Sequence, residues 1–146
     1  SVKRGNMAEF YTAISAEEIA RQIADMLNAH NKLTLIHTMP GLIQAHGKYF
    51  IEIDKKKVIA CQALQKESDN LTKLFHSCVL PEYRRQGIAK RLLQIAIQNS
   101  PTPYVYATIR GDNEASLNMV KTLGFVVAKT EWNKDHQVIT VGRRTT

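Results

Sequence analysis

Leu74-Phe-His-Ser-Cys-Val-Leu-Pro-Glu-Tyr-Arg-Arg-Gln-Gly-Ile-Ala-Lys-Arg-Leu-Leu93 is the stretch from which the fold of this chain is read. It begins inside an apolar run, Leu71 to Leu80, whose Leu, Phe and Val content is that of a strand. Pro81 interrupts the run and a polar turn follows. From Ile88 the apolar residues Ile88, Leu92, Leu93, Ile95 and Ala96 form a helical stripe. Asn99-Ser-Pro-Thr-Pro103 ends that helix, because proline can neither donate to a helix nor continue it sterically. A helix N-terminus leaves backbone N–H groups without intrahelical acceptors and carries partial positive charge, so a glycine-containing turn leading into it can wrap a phosphate. Arg84-Arg-Gln-Gly87-Ile-Ala89 meets that requirement. Gly87 admits close approach of the backbone, Ala89 keeps the next contact small, and Arg84, Arg85 and Lys90 add counter-charge. The ligand group expected there is a pyrophosphate; a turn without a ligand is the alternative that the hexamer alone leaves open.

Outward from this centre, Ser15-Ala-Glu-Glu18 has the form of a capping box, and Ile19, Ile23, Met26 and Leu27 recur at helical spacing up to His30. Leu33 to Gly47, broken by Pro40-Gly41, reads either as a short helix or as an irregular crossing. Lys48 to Ile53 alternates with Tyr49, Ile51 and Ile53 on one face, and Val58 to Leu64 follows the polar Asp54-Lys-Lys-Lys57 turn as the second arm of a hairpin. Beyond the central stretch, Tyr104 to Ile109 is a strand, and Asn113 to Leu123 is a helix ended by Gly124. Phe125 to Trp132 and Gln137 to Gly142 form a second hairpin. This order describes an α/β (α+β) fold, a mixed sheet with helices on both faces.

The length of 146 residues and the 44% hydrophobic content suit one well-buried core, so residues 7–146 are expected to form a single domain. Ser1 to Asn6 precede Met7, which looks like a natural start, and are set outside the fold as an added remnant. No apolar run approaches the roughly 18 to 20 residues of a membrane span, and a soluble, cytoplasmic protein without a membrane partner is expected. Cys61 and Cys78 lie in apolar strand-like runs, which points to buried free thiols; no metal site is expected. The formal charge of +7 is concentrated in Lys55-Lys56-Lys57, in Arg84, Arg85, Lys90 and Arg91, and in Arg143-Arg144. A polyphosphate ligand would account for the second cluster, and the others read as solvated basic surface.

The central stretch resembles the strand-turn-helix core of the GNAT superfamily of acetyl-CoA-dependent N-acetyltransferases. In that family an apolar strand leads through a Pro to Arg or Gln, then x-x-Gly-x-Gly or Ala. Asn113-Glu-Ala-Ser116, leading to Lys121-Thr-Leu-Gly-Phe125, is similar to the family's Asn-helix-Leu-Gly-Phe segment. The two elements cover about the C-terminal half of the chain; residues before Leu71 match only in element order. The resemblance implies a mostly antiparallel twisted sheet of about six to seven strands and an acyltransferase using acetyl-CoA as co-substrate. It implies that the backbone at Ser77, Cys78 and Val79 holds the acetyl carbonyl and the pantetheine arm, polarising the thioester. It assigns the pyrophosphate to Arg84, Arg85, Gln86, Gly87, Ile88, Ala89 and Lys90, and the pantetheine side of the cofactor to Asn113, for which a plain N-cap is the alternative.

The pattern is broken where proton transfer is needed. Many relatives carry a Tyr seven residues after the helix Asn to protonate the departing sulfur, and Val120 stands there. Ser116, one turn earlier, resembles the Ser of relatives that lack the Tyr; it is the candidate catalytic donor and a further cofactor contact. Lys73 and Thr108 occupy the positions of the family's glutamate bases. Tyr104, Tyr106 and Thr108 alternate onto one strand face, so Tyr106 and Thr108 are expected to line the acceptor pocket, with strand packing as the alternative for Tyr. His76 and Cys78 suggest a nucleophilic pair, which the family's direct transfer argues against.

The expected activity is transfer of an acetyl group from acetyl-CoA to a primary amine of a small molecule or protein by direct attack. The competing readings are a CoA-binding sensor without turnover and an RNA-directed acetyltransferase. Nucleic acid is the less supported partner, because no aromatic stacking platform is interleaved with the basic residues. Monomer and homodimer stand as equal expectations for the assembly.

Overall fold

The structure, a computed structural model, describes residues 2–4 as backbone, and 14–30 and 47–146 with their side chains. The crossing expected over residues 33–47 lies, apart from Gly47, outside the described residues. The described elements fall into two compact units, one drawn from Ser1–Ala63 and His76–Ala96, the other from Leu64–Phe75 and Ile97–Thr146.

In the first unit, helix α1 (Ala16–His30) starts where Ser15 Oγ accepts the Glu18 N–H at 3.1 Å. Only half of the capping box closes. The Glu18 carboxylate accepts from Arg21 and Gln22. Ile19, Ile23, Met26 and Leu27 are buried, as their spacing requires. Strands β2 (Lys48–Asp54) and β3 (Lys57–Lys66) are joined by Lys55 and Lys56, both left-handed at φ 50° and 64°. That is the backbone of a two-residue hairpin turn, adopted here without the usual Asn or Gly. The Val58 N–H donates to Gln22 Oε1 at 2.7 Å, tying α1 to the hairpin. Tyr49 through Ile53 are all buried, so the single apolar face read from Tyr49, Ile51 and Ile53 is corrected: both faces of β2 are covered.

The covering of the second face brings a carboxylate inside. Glu52 is 3% exposed and accepts from Arg91 Nε at 3.2 Å and Nη2 at 2.9 Å. Arg91 belongs to helix α2 (Ile88–Gln98), whose Leu92, Leu93 and Ala96 are buried. Val2–Arg4, part of the segment set outside the fold, form β1 and pair in parallel with β2, Val2 opposite Tyr49. The strand order here is β1-β2-β3-β4, where β4 is Leu71–Val79.

In the second unit, β4 pairs in parallel with β5 (Tyr104–Arg110) over Leu71–Lys73 and Tyr104–Tyr106. Buried Thr72 and Thr102 share a hydroxyl hydrogen bond of 2.7 Å. Helix α3 (Glu114–Thr122) ends as expected at Gly124, left-handed at φ 85°, with the Gly124 and Phe125 N–H groups bonded to the Lys121 and Val120 carbonyls. Strands β6 (Val126–Asn133) and β7 (His136–Arg144) form the second hairpin, and β7 lies antiparallel between β5 and β6, giving the order β4-β5-β7-β6. The mixed, mostly antiparallel architecture is therefore present, with seven strands among the described residues. Among the described residues no helix is long and apolar enough to cross a membrane, and no group of His, Cys, Asp or Glu could hold a metal ion.

Ser15→Ala is expected to cost about 1 kcal/mol through loss of the cap. Leu92→Ala, at a fully buried position, should cost about 2–5 kcal/mol. Urea unfolding followed by circular dichroism measures both; midpoints should fall with the slope unchanged.

Candidate functional site

The turn between β4 and α2 is built by the first unit alone. Pro81–Tyr83 form a single 3-10 turn, closed by Tyr83 N–H to Leu80 O at 2.9 Å and Arg84 N–H to Pro81 O at 3.3 Å. Tyr83 Oη donates to Asp54 Oδ2 at 2.7 Å and fastens this turn to the end of β2. Arg84 is extended; Arg85 and Gly87 are then left-handed, at φ 64° and 77°. A side chain pays about 1–2 kcal/mol for that conformation and glycine does not. A Cβ on Gly87 would meet nothing within 4 Å, so the glycine is required by backbone angle, and the space beside it is open.

The consequence concerns hydrogen-bond donors. The first helical bond of α2 is Arg91 N–H to Gly87 O at 3.0 Å. Among the described residues the N–H groups from Arg85 to Lys90 have no backbone acceptor. Arg85, Gln86, Gly87 and Lys90 are exposed and Ala89 half-buried, so these donors border solvent. Ile88 is the exception in its side chain, which is buried. Arg84 is partly spent within the fold, since its Nε donates to Val79 O at 3.1 Å. Consecutive amides turned by left-handed residues into a helix start are a recurrent anion cradle.

Upstream of the turn, β4 contains a residue that a regular strand excludes: His76 is left-handed, φ 52°. Such a residue breaks the pleat and re-aims the next residues, here Ser77, Cys78 and Val79. Ser77 is exposed, Val79 half-buried and Cys78 buried. His76 Nδ1 is 2.8 Å from Tyr49 Oη, and the two rings stack with centroids 6.0 Å apart. Burial pushes the Cys78 thiol up to about 11, with Arg84 pulling weakly the other way, and its Sγ lies 3.9 Å from Met26 O. Burial likewise holds the Cys61 thiol well above its ordinary value. Both thiols stay protonated at neutral pH, and the His76 imidazole is engaged by Tyr49. A buried thiol raised in this way is a poor nucleophile.

In the second unit, Asn113 Oδ1 accepts the Ser116 N–H at 3.2 Å, the N-cap arrangement. Asn113 Nδ2 and the half-buried Ser116 hydroxyl have no partner among the described residues. Val120, in the position of the family's Tyr, is a core residue at 3% exposure. Lys73 is half-buried with Nζ 6.0 Å from the Phe75 ring centre, and exposed Thr108 faces Thr140 across the β5–β7 ladder. Tyr106 is half-buried opposite Lys73 in the last pair of the β4–β5 ladder. Its hydroxyl donates to Glu67 Oε1; burial first, then this bond and the carboxylate's charge, push the phenol up to about 12. Glu67 is absent from the residues expected at the site. It lies in the polar Glu67-Ser-Asp-Asn70 turn, where no sequence signal distinguishes it from solvated loop.

The chain matches the model of the Acetyltransferase (GNAT) family over residues 9–125. It is 24% identical over 110 residues to GCN5-related N-acetyltransferase 6, chloroplastic, of Arabidopsis thaliana, a match covering 69% of this chain and 38% of that protein. Its fold is similar to that of an N-acetyltransferase from Staphylococcus aureus Mu50, with a TM-score of 0.75 at 17% identity, covering 90% of this chain and 96% of the other. It is also similar to a GNAT superfamily phosphinothricin acetyltransferase from Sinorhizobium meliloti in complex with AcCoA, with a TM-score of 0.74 at 15% identity, covering 89% of this chain and 85% of that one.

Two outcomes are expected. Gly87→Ala should lower stability by about 1–2 kcal/mol from the left-handed backbone alone, since its methyl group meets no atom. For Tyr106, a folded pKa raised from 10 to about 12 means that the stabilisation is full below pH 10 and is lost as pH rises through about 12. The stability difference between the parent protein and Tyr106→Phe, measured by urea unfolding from pH 8 upward, should shrink over that window.

Proposed function

Because this chain belongs to the acetyltransferase (GNAT) family, we propose that it transfers an acetyl group from acetyl-CoA to a primary amine of a small molecule, peptide or protein by direct attack on the thioester. The observation that carries this reading is the run of N–H groups from Arg85 to Lys90, without a backbone acceptor among the described residues, around left-handed Gly87. A diphosphate offers these donors charged acceptors, and charge-assisted bonds of this kind are about twice as strong as neutral ones. Arg85 and Lys90 supply counter-charge. The re-aimed Ser77–Val79 segment would hold the acetyl carbonyl and pantetheine through its backbone, stabilising the oxyanion that develops when the amine adds.

Two groups of the second unit have assigned roles in this proposal. Asn113, whose Oδ1 caps its helix, contacts pantetheine through Nδ2. Ser116 donates its hydroxyl to the departing thiolate, the task that buried Val120 is chemically unable to perform. Tyr106 and Thr108 line the acceptor side. A second reading, CoA binding without turnover, is favoured by the same substitution of Val for Tyr.

Acetyl-CoA at a hundredfold excess over its dissociation constant should stabilise the protein by about 2.7 kcal/mol. Gly87→Glu, which sends a long anionic side chain into the open space beside the glycine, should abolish that gain. Absence of any ligand-induced shift in the parent protein would exclude both readings. Ser116→Ala should lower kcat on the order of 10²-fold. Acceptor-dependent release of CoA thiol, assayed over amines and peptides, separates enzyme from sensor.

A further inference from the structure

We propose that Glu67 receives the acceptor: its carboxylate binds the substrate's primary ammonium and then accepts the proton that must leave before nitrogen can attack. The proposal rests on the acetyl-transfer reading above and supplies the proton acceptor missing at Lys73 and Thr108. Both of those positions and Glu67 belong to the second unit. Lys73 stands opposite Tyr106 where the β4–β5 ladder ends, and Thr108 follows Tyr106 on the same face of β5. Tyr106 reaches back to the turn before β4 and donates to Glu67 Oε1. A carboxylate absent from both family positions is thus delivered to the side chain that lies between them.

The charge of Glu67 is available. Lys66 and Asp69 in the same turn pair with each other at 3.3 Å. Lys73 on β4 lies over the Phe75 ring, and the Arg144 guanidinium on β7 lies 5.5 Å from the centre of the Tyr104 ring. Among the described residues Glu67 makes no ion pair, and its Oε2 has no hydrogen-bond partner. Tyr106, kept protonated, orients the carboxylate without neutralising it. An exposed, oriented carboxylate with no ion-pair partner among the described residues suits a primary ammonium rather than an anionic acceptor.

The step balances without a further reactant. R–NH3+ gives one proton to the Glu67 carboxylate, and the lone pair of R–NH2 forms the N–C bond to the acetyl carbon. The C–S bond breaks with its electron pair on sulfur. The nitrogen then loses its second proton to solvent, the thiolate takes one, and Glu67 returns its own to water, leaving amide, CoA thiol and one proton.

The test uses Glu67→Gln, Glu67→Asp and Tyr106→Phe in the full chain, with n-butylamine, spermidine and an alanyl tripeptide as acceptors. Glu67→Gln should lower kcat/KM on the order of 10²-fold and flatten the acidic limb of its pH profile, with the acetyl-CoA dissociation constant unchanged. Glu67→Asp should restore part of the loss, and Tyr106→Phe should cost about tenfold while keeping the limb. Activity of Glu67→Gln within twofold of the parent overturns the proposal. If the parent acetylates none of the three, n-butylammonium chloride is titrated into CoA-saturated protein and followed by NMR. Saturable binding weakened about tenfold by Glu67→Gln upholds the assignment, and equal or absent binding overturns it. Failure of the parent to bind acetyl-CoA is a separate result, which removes the acetyl-transfer reading itself.

Discussion

The constraint on which the rest depends is that the donors leading into α2 have no backbone acceptor among the described residues. Two left-handed residues, Arg85 and Gly87, delay the first helical bond until Arg91. Unpaired amides are tolerated only where water or a ligand can reach them, which is why this turn is exposed while the helix it opens is buried on Leu92, Leu93 and Ala96. Arg85 bears the conformational strain of a side chain at positive φ, so the surroundings must hold the turn firmly. They do so from two directions. Tyr83 is bonded to Asp54 ahead of the turn, and Arg91 to buried Glu52 behind it. A buried carboxylate is a weak source of net stability, but it sets the position of α2 on β2 with angular specificity that apolar packing lacks.

The second unit shows a different principle, the use of neutral donors to orient charged or reactive groups. Tyr106 presents a protonated phenol to Glu67, and Asn113 presents its oxygen to its own helix while leaving its amide donors unengaged among the described residues. The alternatives raised for Asn113, cap or ligand contact, are compatible because the two ends of the amide are chemically distinct. Val120 belongs to the core, so the family's usual proton donor is absent for a packing reason as well as a chemical one. The buried thiols of Cys61 and Cys78 take no part, since burial keeps them protonated.

Most elements were legible because their signals are local. The Ser15 cap, the stripe of α2, the proline stop after Gln98 and the glycine that ends α3 each act within a few residues. So was the turn into α2, whose requirement for glycine is a property of the backbone. What was not legible was the packing of β2. Alternation in β2 indicated one buried face, and only the packing of the opposite face showed that Phe50 and Glu52 are inside.

By itself, then, the chain's amino-acid order determined the strand-turn-helix element, the order of the elements and the position of the glycine turn that opens α2, all governed by backbone conformation and residue periodicity over short distances. Tertiary structure alone decided that Arg91 serves Glu52, that His76 bonds Tyr49, and that Tyr106 holds Glu67. Those partners are 39, 27 and 39 residues apart. Side-chain hydrogen bonds depend on ångström-scale proximity, which no local pattern encodes once the chain has folded back on itself.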